Sequence, residues 1–290
     1  MITVFTPSYN REVELEKLYK SLLKQDIDDF EWLIVDDGST DNTKSYINKI
    51  KKANKIKINY VYKENGGKQS AYNVGLDSAK GDIFLCIDSD DILKDNVLGL
   101  IKEDFDDIGD NNNICGVMYL QSYISAKDKI IGSKFPKEFP KDDMIISYYD
   151  VYNKYKVTGD KMIVFKTDVA REYYFPIIDG EKFIPEALIF NRVSLKYKFL
   201  CRNVVVASKE YLEGGYSSKY FSLVKRNPLG NSLYYLELYN FSQSLYNIYG
   251  YILFSIYGKK RLRNMLKEHP AKVMIILMYI PVWVLSLIRR

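Results

Sequence analysis

The segment Ile83-Phe84-Leu85-Cys86-Ile87-Asp88-Ser89-Asp90-Asp91 decides the fold. Five apolar residues in a row, closed by carboxylates, read as a strand buried on both faces that ends at a polar edge. Working back from it, Gln69 to Ala79 reads as a helix and Ile56 to Tyr62 alternates like a strand. Before those come a helix capped by Asp41 and running to about Lys51, the strand Glu31-Trp32-Leu33-Ile34-Val35, a helix over residues 11–25, and the strand Ile2 to Thr6. Another helix is expected from about Lys94. Four alternations of β and α argue for a parallel sheet with right-handed crossovers. Ligands bind such sheets at the carboxyl ends of the strands. Four polar clusters fall there: Pro7-Ser8-Tyr9-Asn10, Asp36-Asp37-Gly38-Ser39, Asn65-Gly66-Gly67 and Asp88 to Asp91.

Each cluster has a chemical and a structural reading. Carboxylates one residue apart at a strand end can share a hard divalent cation with phosphate oxygens. An isolated Asp-x-Asp-Asp more often caps the next helix. Here both are expected, one Asp capping and another binding metal. A carboxylate such as Asp37 can accept from a base N–H or a ribose hydroxyl, or it can cap a turn. The small residues of Asn65-x-Gly67-x-x-x-Ala71-x-Asn73-x-Gly75 let a helix N-terminus approach a neighbour or a phosphate. Lys68 beside them is either a cation for a diphosphate or a solvated surface lysine.

Downstream the pattern loosens. Ile114 to Tyr123, Lys161 to Lys166 and Phe199 to Ala207 read as strands, Pro185 to Tyr197 as a helix, and residues 124–160 as loop-rich and polar. In the tail, Phe241, Leu245, Ile248, Tyr249, Ile252 and Ile256 form one helical stripe. A basic stretch, residues 259–272, then leads into the apolar run Val273 to Ile288. A helix there would span roughly 24 Å at ~1.5 Å per residue, short of the ~30 Å hydrocarbon core, and Pro281 interrupts it. An interfacial or re-entrant anchor on an anionic leaflet is preferred. A helical pair packed on the body or on a second subunit is the alternative, which leaves homo-oligomers open.

Composition bounds the remaining choices. The 290 residues carry 42 Lys+Arg against 37 Asp+Glu, a charge of +5 that is no nucleic-acid signature. At 47% apolar the chain can bury a sizeable core. Its three cysteines, Cys86, Cys115 and Cys201, are too far apart for a zinc or redox motif. One histidine, His269, excludes a histidine-based metal cage or a Ser-His-Asp triad. Met1 leads directly into the first strand with no basic leader, so the chain is expected to begin in the cytosol with reduced thiols.

Taken in order, Pro7-Ser8-Tyr9-Asn10, Val35-Asp36-Asp37-Gly38-Ser39-Thr40-Asp41, Asn65-x-Gly67-x-x-x-Ala71-x-Asn73-x-Gly75 and Asp88-x-Asp90-Asp91 closely resemble the family 2 glycosyltransferases of the GT-A fold. The resemblance is strong over about residues 2–105 and weak to about 220. It implies an α/β, Rossmann-like, mostly parallel sheet flanked by helices. It also implies a UDP-sugar donor, Mn²⁺ or Mg²⁺, and an inverting single displacement by a hexosyl- or N-acetylhexosaminyltransferase. Carried over, Pro7 and Tyr9 frame the uracil and Asp37 reads it. Asp88 lies near ribose and metal, Asp90 ligates the metal directly, and Lys68 lies in the loop that touches the nucleotide. The catalytic base of the family is a carboxylate, commonly in a Glu-Asp pair opening a helix. Here Glu186 matches the first member and Ala187 stands for the second, so Glu186 is the expected base, with Glu181 and Asp179 in reserve. Some relatives add a late histidine as metal ligand; Tyr211 to Lys219 contains none.

The expected organisation is a nucleotide-sugar-binding half over residues 1–110, an acceptor-binding half over 111–225, and a helical membrane-associating region over 226–290. Resemblance and tail together imply a lipid-linked oligosaccharide acceptor in bacterial surface polysaccharide synthesis, such as capsule, at the inner face of the cell membrane. A sugar nucleotidyltransferase would want a glycine-rich loop that residues 6–11 lack. A dinucleotide dehydrogenase would want a GxGxxG after the first strand. A catalytically inactive binding or scaffold protein would tolerate loss of Asp37, Asp88 and Asp90, all of which are present.

Overall fold

The computed structural model describes residues 1–126, 129–136, 144–209 and 220–288. It divides into two compact units: Met1–Tyr174 with Arg192–Glu210, and Phe175–Asn191 with Tyr211–Arg290.

The first unit opens with β1 (Ile2–Ser8), α1 (Glu12–Leu22), β2 (Phe30–Asp36), α2 (Thr43–Ala53), β3 (Ile58–Tyr62), α3 (Lys68–Ser78) and β4 (Ile83–Cys86). The short β5 (Ile92–Leu93) follows, then α4 (Val97–Ile108), β6 (Ile114–Tyr123), β7 (Met144–Ile146), α5 (Tyr148–Asn153), β8 (Lys161–Lys166) and α6 (Thr167–Ala170). After α7 (Ala187–Ser194) the chain enters the long β9 (Lys198–Lys209). Among the described residues these strands form one nine-stranded sheet in the order β3-β2-β1-β4-β8-β6-β9-β5, with β7 pairing β9. β1, β2, β3 and β4 are parallel, as the alternation of strands and helices requires. β8 then enters antiparallel between β4 and β6, and β9 runs parallel to β6. The carboxyl ends of β1, β2, β4, β6 and β9 therefore share one sheet edge with the amino end of β8.

The sequence explains the sheet's apolar strands. Ile2, Val4, Trp32, Ile34 and Leu85 are buried in one core with Leu15, Leu18 and Leu98 from the helices. Trp32 satisfies its one polar atom by donating from Nε1 to Thr6 Oγ1 at 3.0 Å. Gly75 allows α3 to lie against the sheet: a Cβ there would stand 2.4 Å from the Phe5 ring. The three cysteines form no disulfide.

The second unit contains α8 (Tyr220–Arg226), α9 (Pro228–Phe241), α10 (Leu245–Tyr257), α11 (Leu262–Glu268) and α12 (Lys272–Ile288). Its core joins Ile248, Ile252 and Ile256 of α10 to Met265 of α11 and Ile275 and Val282 of α12. His269 is buried beside the Tyr239 and Tyr251 rings, at 4.6 and 4.9 Å between centroids. Its Nδ1 accepts from Ala271 N–H at 3.0 Å, and burial pushes its pKa down.

Two expectations change. The stripe from Phe241 to Ile256 is not one helix: the chain breaks at residues 242–244, and the Ser244 side chain caps α10 by accepting from Asn247 N–H. Within the loop-rich residues 124–160 the described elements are β7 and α5. Neither Asp90 nor Asp91 caps a helix. β5 intervenes, α4 starts only at Val97, and Gln25 Oε1 accepts from Val97 and Leu98 N–H.

Candidate active site

Asp37 accepts three hydrogen bonds at this edge. It follows β2 and is 4% exposed. Its Oδ1 accepts from Lys63 Nζ at 2.7 Å and from Gly66 N–H at 2.9 Å, and its Oδ2 from Gly67 N–H at 2.8 Å. Its own N–H donates to Ser8 O, and its carbonyl accepts from Asn65 Nδ2. The carboxylate thus fastens residues 63–67 to the ends of β1 and β2. Gly67 sits at φ +88°, a conformation that favours glycine, and leads into Lys68, the first residue of α3. Next to it, Asp36 is wholly structural: Oδ1 accepts from Ser39 N–H and Oδ2 from the Tyr60 hydroxyl at 2.7 Å.

The turn after β1 is tied to the same region. Asn10 N–H donates to Ser39 Oγ at 2.9 Å, and Asn10 Oδ1 accepts from Thr40 N–H at 2.8 Å. Pro7 is half-buried within β1, while Tyr9 leaves 48% of its surface exposed beside this loop pair.

Beyond β4 the chain turns through Asp88 to Asp91, closed by Asp91 N–H donating to Asp88 O at 3.1 Å. Lys68 Nζ lies 2.5 Å from Asp88 Oδ1, and Lys209 Nζ, at the end of β9, lies 3.6 Å from Asp88 Oδ2. Lys209 is also 3.6 Å from Asp160 Oδ2, just before β8. Burial alone would push the Asp88 carboxyl up; the Lys68 and Lys209 ammoniums outweigh it and hold the group well below the usual range. Asp90 is pushed up by burial and then by the charge of Asp88. Asp91 is also raised, by burial foremost; Lys209 opposes that rise, and the charges of Asp88 and Asp90 add to it. Gln121 Nε2 donates to Asp91 Oδ2 at 3.3 Å, while Asp91 Oδ1 is buried with no partner among the described residues.

Crowded carboxylates, two of them with raised pKa values and one with an orphaned buried oxygen, are what a hard divalent cation relieves, so the donor set fits Mg²⁺ or Mn²⁺. Among the described residues no three His, Cys, Asp or Glu side chains form a ready-made cage.

Pro7, Tyr9, Asp37, Lys68, Asp88 and Asp90 thus meet at one edge of the first unit. Glu186, Glu181 and Asp179 belong to the second. Glu186 is exposed in the turn before α7, one residue ahead of the helix, and its carbonyl accepts from Ile189 N–H. Glu181 serves the structure, since its Oε1 accepts from Leu229 N–H at 2.6 Å and its Oε2 from Gly230 N–H at 2.7 Å, at the start of α9. Tyr211 to Lys219, the stretch that bears on a late histidine ligand, lies outside the described residues. Sequence reading missed Lys63, Asp160 and Lys209. Lys63 follows β3 directly, a position that parallel pairing with β2 brings to the edge; the others needed the direction of β8 and β9.

The family model for glycosyl transferase family 2 matches residues 3–171, well over half of the chain. The chain belongs to glycosyl transferase family 2. Curated relatives of this family 2 chain include an uncharacterized glycosyltransferase of Nostoc, 34% identical over 130 residues, which are 45% of this chain and 39% of that protein. Another is the GalNAc(5)-diNAcBac-PP-undecaprenol beta-1,3-glucosyltransferase of Campylobacter jejuni, 37% identical over 107 residues, 35% of this chain and 33% of that protein. The matching segment therefore spans well under half the length of either. Among solved structures, Staphylococcus aureus TarS residues 1–349 in complex with UDP-GlcNAc superposes with a TM-score of 0.65 at 20% identity, covering 97% of this chain and 79% of TarS. The mannosyltransferase PcManGT of Pyrobaculum calidifontis, in complex with GDP-Man and Mn²⁺, gives 0.56 at 17% identity, covering 98% of this chain and 79% of that one. These likenesses establish the GT-A fold of this family 2 member.

Proposed function

We propose that the protein transfers a sugar, with inversion, from a UDP-sugar to a lipid-linked glycan in bacterial surface polysaccharide synthesis, as a metal-dependent hexosyl- or N-acetylhexosaminyltransferase. The observation that carries this reading is the Asp88–Asp91 turn, flanked by Lys68 and Lys209, at the same sheet edge as the loop held by Asp37. The UDP-GlcNAc complex of the TarS neighbour and the undecaprenol-linked substrate in the Campylobacter relative's name support the donor and acceptor classes. Residues 1–110 form the donor half in this reading, 111–225 the acceptor half, and 226–290 the membrane-associating region.

The residues divide the work as follows. Tyr9 and Pro7 frame the uracil. Asp37 uses three of its roughly four acceptor positions on residues 63–67, which leaves one on Oδ2 for the base N–H. Asp88 and Asp90 hold Mn²⁺ or Mg²⁺, which when bound neutralises charge on the departing diphosphate. Lys68 supplies a cation from the start of α3. Glu186 takes the acceptor hydroxyl's proton.

Asp37→Ala should raise the donor KM by about tenfold or more with a smaller change in kcat, because a group that reads the base binds ground and transition states alike. It should also destabilise the fold by about 1–3 kcal/mol for each buried donor left unpaired. Steady-state kinetics and urea unfolding measure the two effects. Loss of kcat at unchanged KM would contradict the role. Mn²⁺-dependent hydrolysis of UDP-sugars by the full chain separates the enzyme from an inactive binding protein.

Membrane association follows from α12. No helix among the described residues is long and apolar enough to cross a membrane. Yet Val273, Ile276, Leu277, Ile280, Val284 and Ile288 form an exposed stripe at helical spacing, with Ile280 68% and Ile288 76% exposed. Exposed Arg261, Arg263, Lys267 and Lys272 precede or open that helix. Such a face suits peripheral attachment to the anionic inner leaflet. The full chain should float with anionic vesicles at low salt, and Leu277→Asp with Ile280→Asp should remove most of that binding. Equal flotation by both proteins would end the assignment.

A further inference from the structure

Among the described residues, Lys209 is the one charged group touching Asp88 that has no part in the scheme above. Its side chain is only 18% exposed, at the last residue of β9. Asp88 has an ammonium near each oxygen, Lys68 at 2.5 Å and Lys209 at 3.6 Å, and Lys209 leans equally on Asp160 at 3.6 Å. Among the described residues Asp90 has no ion pair, and no three His, Cys, Asp or Glu side chains form a metal cage there. The charge of the turn is thus divided. Asp88 is matched by cations of the chain itself, and Asp90 is left for a cation from solution. An ammonium on a flexible four-carbon stem, with three donors, can exchange one anionic partner for another without moving the backbone.

We propose that Lys209 is a built-in cation of the donor site, which competes with the divalent metal for Asp88 and turns to the donor diphosphate when the nucleotide arrives. This rests on the donor-site reading above and extends it. Donor binding then survives removal of the metal, weakened but present.

The test uses the full chain, with Mn²⁺ and UDP as probes. Lys209→Met keeps the length and removes the charge. It should bind Mn²⁺ more tightly without nucleotide, on the order of tenfold, because the ammonium no longer shields Asp88. It should bind UDP on the order of tenfold more weakly in EDTA, with the gap narrowing at saturating Mn²⁺. Lys209→Arg should return both toward wild type. A merely structural lysine would weaken both ligands, so tighter metal binding is the deciding readout. Asp160→Asn provides a second route if Lys209→Met does not fold: freed from Asp160, Lys209 engages Asp88 more fully, and Mn²⁺ affinity should fall. Unchanged or weaker Mn²⁺ binding by folded Lys209→Met, or stronger binding by Asp160→Asn, overturns the proposal. If UDP fails to bind with or without metal, the donor reading falls instead, while the Mn²⁺ titration still decides the competition.

Discussion

Asp90→Ala should abolish sugar transfer and leave UDP affinity indifferent to Mn²⁺. Asp88 is paired with Lys68 and Lys209, and in the proposed reading Asp90 is the carboxylate that meets the metal. Burial first, and the charge of Asp88 second, push the Asp90 pKa up. A divalent cation at a departing diphosphate stabilises the transition state by several kcal/mol, so turnover should fall by about 10³-fold or more. Residual UDP binding should persist through Asp37 and the two lysines and no longer respond to EDTA. Undiminished transfer by the variant would remove Asp90 from the metal site.

Glu186→Gln is the second large effect. The substitution keeps shape and removes basicity, and proton removal by a positioned base is worth ~10²–10⁴-fold in rate. Turnover on the acceptor should drop by about that factor while UDP-sugar affinity barely changes. Slow donor hydrolysis should survive, since water reacts with less help. Glu181→Gln, which the sequence alone suggests as a control, is a poor one. Both Glu181 oxygens accept from the N–H groups that open α9, so that variant should lose stability as well as activity. Asp179→Asn, on an exposed residue, is cleaner. A dead Asp179→Asn beside a near-normal Glu186→Gln would move the base to the earlier residue.

How far the sequence could be read depended on the range of the interactions involved. β1 to β4 and their helices were legible because continuous apolar runs and helical spacing are local signals, and parallel order followed from their alternation. β5 and β7 were not, since strands of two and three residues carry no period. The break between α9 and α10 was hidden because Phe241 and Leu245 happen to keep helical spacing across it; the Ser244-x-x-Asn247 cap was the available signal. In the site, residue types were legible but their engagements were not. Asp37 could be named as a binding carboxylate, yet the donors that occupy it come from Lys63, Gly66 and Gly67, across the sheet edge. Lys209 could not be placed beside Asp88 without knowing that β9 runs parallel to β6.

The buried imidazole of the helical unit has a practical consequence. A chain with a single histidine yields one pair of imidazole carbon-bound proton lines, needing no assignment strategy to identify. The neighbouring Tyr239 and Tyr251 rings, 4.6 and 4.9 Å away, should displace those lines by ring currents that vary steeply with distance and tilt. His269 is therefore an intrinsic magnetic-resonance reporter on the junction of α11 and α12. Repacking of those helices as vesicles are added would be visible in an unlabelled sample as a moving or doubled signal.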